Sequence, residues 1–172
     1  MQKKVDKHKE MAVAIRSYGM RQLYAFIFVL VSLSFLGGCG CMTGGDSGSS
    51  AYGEQALRAA SSQVGKPYCY GGASPKKGFD CSGLVYWSYA RTGVKIPRRT
   101  TDQLQAGQSV ALNDRLPGDI VVFRIRGNNL HTGLYAGKNT FIHSPRQGSN
   151  VRKDSLQSPY WSKRLVAIRR IN

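Results

Sequence analysis

Acidic side chains are scarce in this chain of 172 residues: nine Asp and Glu stand against 25 Lys and Arg, for a formal net charge of +16. Such a balance draws anionic polymers and surfaces. Cysteine is scarce too. Four are present and none forms a CxxC pair, so neither a disulfide framework nor a paired zinc site is indicated. Only three histidines occur, at positions 8, 131 and 143. No repeat and no sustained heptad run is visible. The main uncharged apolar run, Leu23 to Leu36, has 14 residues, short of the roughly 20 that a spanning helix needs. From Tyr52 onward roughly 120 residues remain, enough for one core and too few for a second module.

The apolar run ends in Leu36-Gly37-Gly38-Cys39. An apolar stretch, then small residues, then Cys is the pattern of a secretory signal peptide. The ending resembles the lipobox of bacterial lipoproteins. That resemblance implies lipid on Cys39, loss of residues 1–38, and Cys39 as the mature N-terminus. The alternatives are a plain signal peptide or an uncleaved anchor. Met20-Arg21-Gln22 makes a more compact start than the first 19 residues, so either translation starts at Met20 or Met11 or the n-region is unusually long. Either way His8 falls outside the mature protein. Gly40, rather than Asp, follows the cysteine, and in a two-membrane cell this points to the outer membrane, periplasmic face. Residues 39–51 read as the lipidated Cys and a Gly/Ser tether, and residues 52–172 as the folded domain.

Residues 1–38 hold six basic and two acidic side chains, so the remainder keeps 19 and 7, a net +12. For an exported domain the anionic partners in reach are cell-wall carboxylates, glycopolymers and lipid headgroups. No nucleic-acid motif accompanies the charge, and nucleic acid is not an expected partner. A solvated basic surface with no dedicated partner is the plainer alternative.

Helical patterns come first along the domain. Gly53 to Val64 reads as a short helix with Ala56, Leu57, Ala60 and Val64 toward the core. Tyr68-Cys69-Tyr70 reads as extended, with the two tyrosines on one face and Cys69 as a small core residue on the other. Asp80 is a suitable N-cap for a helix from Cys81 to Thr92, stopped at Gly93, with Leu84, Val85, Trp87 and Tyr89 buried. Asp102 to Gly107 makes one helical turn or two. Strands follow: Ile120 to Ile125, a loop over Arg126 to Asn129, a hairpin of His131 to Ala136 and Thr140 to Ser144, a basic loop, and Leu165 to Ile171 closing the sheet. Helices before strands indicate an α+β domain.

The chemistry centres on Cys81, in Phe79-Asp80-Cys81-Ser82-Gly83. A thiol in the first turn of a helix lies beside the positive end of the helix dipole, which lowers its pKa, as would a neighbouring imidazolium. His131 is the candidate base. Gly133 shares its face and leaves room for another group. His143, across the hairpin, can orient the base. Helix-start N–H groups and the Tyr68 hydroxyl are candidate oxyanion donors. Taken singly, a lone Cys or strand His is more often structural. Zinc held by Cys81, His131 and His143 competes, but no metal-ligand spacing and no fourth ligand is evident. A Cys69–Cys81 disulfide would remove the nucleophile.

Gly65-Lys66-Pro67-Tyr68-Cys69-Tyr70-Gly71-Gly72 and Phe79-Asp80-Cys81-Ser82-Gly83 together resemble the opening motifs of the NlpC/P60 cell-wall peptidases. Pro97-Arg98-Arg99-Thr100-Thr101-Asp102-Gln103 resembles that family's crossing segment. Pro117-Gly118-Asp119-Ile120-Val121-Val122-Phe123, His131-Thr132-Gly133-Leu134-Tyr135 and Phe141-Ile142-His143 resemble its strands. The resemblance implies a papain-like α+β fold, N-terminal helices packed on an antiparallel sheet of about five strands. It implies a monomer that hydrolyses peptidoglycan stem peptides, typically between D-glutamate and a diamino acid, with no cofactor or metal. By motif position Cys81 is the nucleophile, His131 the base, His143 its orienting partner and Tyr68 the family's tyrosine. Asp80 and Ser82 fall at substrate-pocket positions. Tyr70 departs from the Trp or Leu of many relatives, and Cys69 is unusual. The same three groups would also serve an N-acetylmuramoyl-L-alanine amidase or an acyltransferase. A non-catalytic wall-binding lipoprotein is the remaining alternative.

Overall fold

The computed structural model describes residues 51–172. The expected signal peptide, the expected lipidation site at Cys39 and the expected tether up to Ser50 lie outside the described residues. The first helix, α1 (Ala51–Ser61), begins where the tether was expected to end. Ala56 and Ala60 are fully buried, and Leu57 packs against them. Val64, expected in the core, is half exposed because the helix stops at Ser61 and the chain turns away.

Residues 67–80 fold tightly against themselves. The short strands β1 (Ala73–Ser74) and β2 (Gly78–Phe79) pair antiparallel, and Tyr68 bridges to Phe79. Cys69 is only half-buried and Tyr70 is 84% exposed, so this stretch does not feed the core as the alternation implied. Helix α2 (Cys81–Ala90) follows, shorter than expected. Leu84, Val85 and Tyr89 are fully buried and Trp87 is partly so. The helix α3 (Thr100–Gln103) is a single turn.

The main sheet has six strands rather than about five. They are β3 (Gln108–Ser109), β4 (Ile120–Arg126), β5 (Asn129–Tyr135), β6 (Thr140–His143), β7 (Arg152–Ser155) and β8 (Leu165–Arg170). Their order is β3-β8-β4-β5-β6-β7, all antiparallel. Strand β8 therefore lies inside the sheet, and β3 covers its edge. Residues 126–129, expected as a loop, are the tight turn of the β4–β5 hairpin. A short 3-10 turn (Leu112–Asp114) and α4 (Pro159–Ser162) complete the described elements.

The pleat assigns the sheet's two faces. Leu130 and Leu134 of β5 join Ile120, Val122 and Ile142 under α1 and α2. Val121, Phe123, Tyr135, Phe141 and Ile168 form a second layer with Trp161 of α4. Burying both faces is what holds a sheet this short. Among the described residues no helix is long and apolar enough to cross a membrane.

Candidate active site

Asp80 does more than cap a helix. Its Oδ1 accepts from Gly83 N at 2.6 Å and its Oδ2 from Gly71 N at 2.9 Å. Arg98 grips the same carboxylate with two nitrogens, at 2.9 and 2.7 Å, and also donates to Ser82 Oγ and Gly72 O. A Cβ at Gly83 would collide with Gly72 O and crowd Arg98 and Asp80, which explains the glycine in Asp-Cys-Ser-Gly. Buried Gln103 adds a second clamp. Its Nε2 donates to Ser82 O at 3.0 Å and Pro97 O at 2.9 Å, and its Oε1 accepts from Thr132 Oγ1 at 3.1 Å. The start of α2 is thus fastened to β5 and to the segment before α3.

Cys81 opens into a cleft of about 540 Å³ whose walls include Tyr68, Asp80, Ser82, Arg98 and Thr100. The four cleft residues proposed from sequence, Cys81, Tyr68, Asp80 and Ser82, are therefore together. Both Cys69 and Cys81 are free thiols. The Cys81 pKa does not follow the sequence argument. Burial pushes it up, and the Asp80 carboxylate adds to the rise; the N–H of Thr132, the Thr100 hydroxyl and the N–H of Ser82 only partly oppose this. The helix start is there, but its charge is already answered by the Asp80 cap. Tyr68 is likewise raised by burial, then by Cys81 and Asp80, and stays a neutral donor.

The two histidines meet. His131 Nε2 lies 2.7 Å from His143 Nδ1, with the rings edge-on at 88°. Gly133 makes this possible: a Cβ there would sit 2.9 Å from Phe141 Cδ2 and 3.1 Å from His143 Cβ. His143 Nε2 in turn lies 3.0 Å from Asp154 Oδ2. The carboxylate can only accept, so His143 carries its proton on Nε2 and accepts on Nδ1. His131 then donates from Nε2, and its Nδ1 is left with a free lone pair. His131 stacks on Trp161 at 5.3 Å. Burial, then the neighbouring His143, lowers His131 to about 3, and burial lowers His143 to about 4, so both are neutral at pH 7.

Asp154 was missed by the sequence reading, which treated its segment as a loop. Besides His143 it accepts from Trp161 Nε1 at 3.1 Å and from Arg152 Nε and Nη2, both at 3.0 Å. Burial alone would raise its pKa, but Arg152, His143 and Trp161 together hold the carboxyl below the usual range.

No hydrogen bond joins Cys81 Sγ to either imidazole among the described residues. The thiol rests 3.9 Å from Thr100 Oγ1. It also faces the N–H of Thr132, the residue next to His131. No group of three or more His, Cys, Asp or Glu among the described residues could hold a metal ion.

Residues 65–170 match the profile of the NlpC/P60 family. The chain belongs to this family. It is 40% identical over 114 residues to the murein DD-endopeptidase MepH of Escherichia coli K12, a match covering 63% of this chain and 42% of that one. It is 35% identical over 127 residues to the bifunctional muramidase/DL-endopeptidase CwlT of Bacillus subtilis 168, covering 72% of this chain and 38% of that one. The chain thus spans less than half of these relatives. An NlpC/P60 protein from Bacillus cereus ATCC 10987 superposes with a TM-score of 0.64 at 29% identity, covering 69% of this chain and 39% of that structure. The NlpC/P60 fold seen here is the mixed helix and antiparallel-sheet fold expected.

Proposed function

We propose that this NlpC/P60 chain is a cysteine endopeptidase that cuts peptidoglycan stem peptides. The observation that carries the reading is the chain His131–His143–Asp154, which leaves one basic nitrogen free on the residue next to the N–H facing Cys81. In the free enzyme thiol and imidazole are both neutral. Catalytic hydrogen bonds are often slack before substrate binds. On binding, Cys81 Sγ leaves Thr100 and passes its proton to His131 Nδ1. The sulfur attacks the stem carbonyl carbon. Cys81 N–H has no hydrogen bond among the described residues, whereas Gly83 N and Leu84 N are held by Asp80. Cys81 N–H and Tyr68 OH are the donors proposed for the oxyanion. His131 then protonates the leaving amine, a thioester remains, and His131 activates the water that hydrolyses it. His143 and Asp154 hold the base in one tautomer throughout.

The bond proposed is that between D-glutamate and the diamino acid. The name of MepH favours a second reading, the D-alanyl cross-link to a diamino acid. Mass spectrometry of digested sacculi separates them. A new diamino-acid N-terminus opposite a D-glutamate C-terminus supports the first, and one opposite D-alanine supports the second. A freed lactyl group would instead mark an amidase.

The proposed location is the outer membrane, periplasmic face, through lipid on Cys39. The support is the Leu36-Gly37-Gly38-Cys39 sequence after an apolar run. The tether up to Ser50 would span up to roughly 35–40 Å if extended. The Cys39→Ser variant should leave the membrane fraction while keeping its activity; retention there would indicate an uncleaved anchor.

A further inference from the structure

His131 lines a second cavity, separate from the Cys81 cleft. It has a volume of about 460 Å³, and its walls include Ile125, Arg146, Arg152, Tyr160 and Trp161. The two spaces share no lining residue: Leu130 of β5 borders the Cys81 cleft, and its neighbour His131 borders this one. Two arginines, Arg146 and Arg152, stand in its wall. The Arg146 side chain makes no hydrogen bond or ion pair among the described residues; only its backbone is used, in a turn with Ser149. Arg152 spends Nε and Nη2 on Asp154, leaving Nη1 without a partner among those residues. No Asp or Glu is among the residues lining the cavity.

From this geometry we infer that the cavity binds a carboxylate on the leaving half of the substrate. This rests on the endopeptidase reading. The residue that protonates the leaving amine must reach that nitrogen, so the part of the substrate carrying it lies on the His131 side. Where the diamino acid is diaminopimelate, which has two carboxyl groups, the leaving half of either bond considered above keeps at least one free carboxylate on it. A guanidinium binds a carboxylate through paired, charge-assisted N–H donors. Tyr160 and Trp161 supply apolar walls for the methylene chain of the diamino acid. Arg146 is the main anion contact, because it has no other partner. Arg152 is the second, and its grip on Asp154 keeps that site in line with His143.

The full chain carrying Cys81→Ala is titrated calorimetrically with the dipeptide diaminopimelyl-D-alanine, as free acid and with its carboxylates amidated. The free acid should bind about tenfold tighter than the amide, and Arg146→Gln in the same background should lose about the same factor, as expected for one charge-assisted hydrogen bond. Arg146→Lys should recover part of it. Equal binding of acid and amide, no effect of Arg146→Gln, or no binding of the acid at millimolar concentration would each overturn the inference. Cleavage by the unaltered chain is measured alongside. If it cuts no stem peptide while the dipeptide still requires Arg146, the cavity assignment stands and the reaction assigned to Cys81 falls.

Discussion

His143 is clasped at both ring nitrogens, by His131 at 2.7 Å and by Asp154 at 3.0 Å. A ring held on both sides cannot change tautomer without breaking a buried hydrogen bond. Asp154 thereby sets which nitrogen of His131 stays basic, two residues removed from the chemistry.

Replacing Asp154 by Asn removes the charge and allows an N–H to face His143. The kcat should fall by at least about tenfold, a part of what acid–base catalysis supplies, with KM little changed. The pH profile of kcat should also move, which a merely structural role would not cause. Unchanged kcat and profile would show that the carboxylate does not position the base.

Stability should depend on pH through the two imidazoles. Their folded-state pKa values, about 3 and about 4, lie below the ordinary 6.5. The unfolded chain therefore binds more protons across that interval, and stability falls as pH drops from 6.5 toward 4. Urea unfolding at stepped pH should show this slope, reduced in His143→Gln. A flat profile over that range would mean that the rings are not buried as neutral bases.

The raised Cys81 thiol gives a third expectation. Alkylation of Cys81 by iodoacetamide, followed on its own tryptic peptide, should be slow at pH 7 and rise through and beyond the ordinary thiol range, because only the thiolate reacts. A plateau already reached below pH 7 would reveal a preformed thiolate–imidazolium pair.

Arg98 joins Asp80, Ser82 and Gly72 across the start of α2. Arg98→Ala leaves Asp80 without its counter-charge in a mostly buried setting. Breaking a buried pair costs about 3–5 kcal/mol, and the one-third exposure of Arg98 brings the expected loss to about 1–3 kcal/mol. Urea denaturation measures it. Arg98→Lys should recover only part, because one ammonium cannot reproduce the fork. No loss for the alanine variant would show that the cap alone holds the turn.

Local chemistry was readable from sequence. The Asp80 cap, the helix start at Cys81 and the pairing of His131 with His143 follow from short-range pattern. So does the space at Gly133. Asp154 was hidden because Arg152-Lys153-Asp154-Ser155 has no apolar alternation: β7 is an edge strand fixed by backbone pairing to β6, not by burying a face. Arg98 and Gln103 were hidden because, Pro97 apart, their partners lie 16 to 29 residues away. The order that puts β8 inside the sheet is likewise set by long-range pairing. The Cys81 pKa was misjudged for a related reason, since the dipole is visible in sequence and the burial around the thiol is not.

The central claim is that Cys81 is the nucleophile of a stem-peptide endopeptidase. The most direct measurement is digestion of purified sacculi by the full chain and by Cys81→Ala, with products resolved by mass spectrometry and folding checked by circular dichroism. The unaltered chain should release new diamino-acid N-termini, and a folded Cys81→Ala none above background. Undiminished release of those termini by the alanine variant would contradict it.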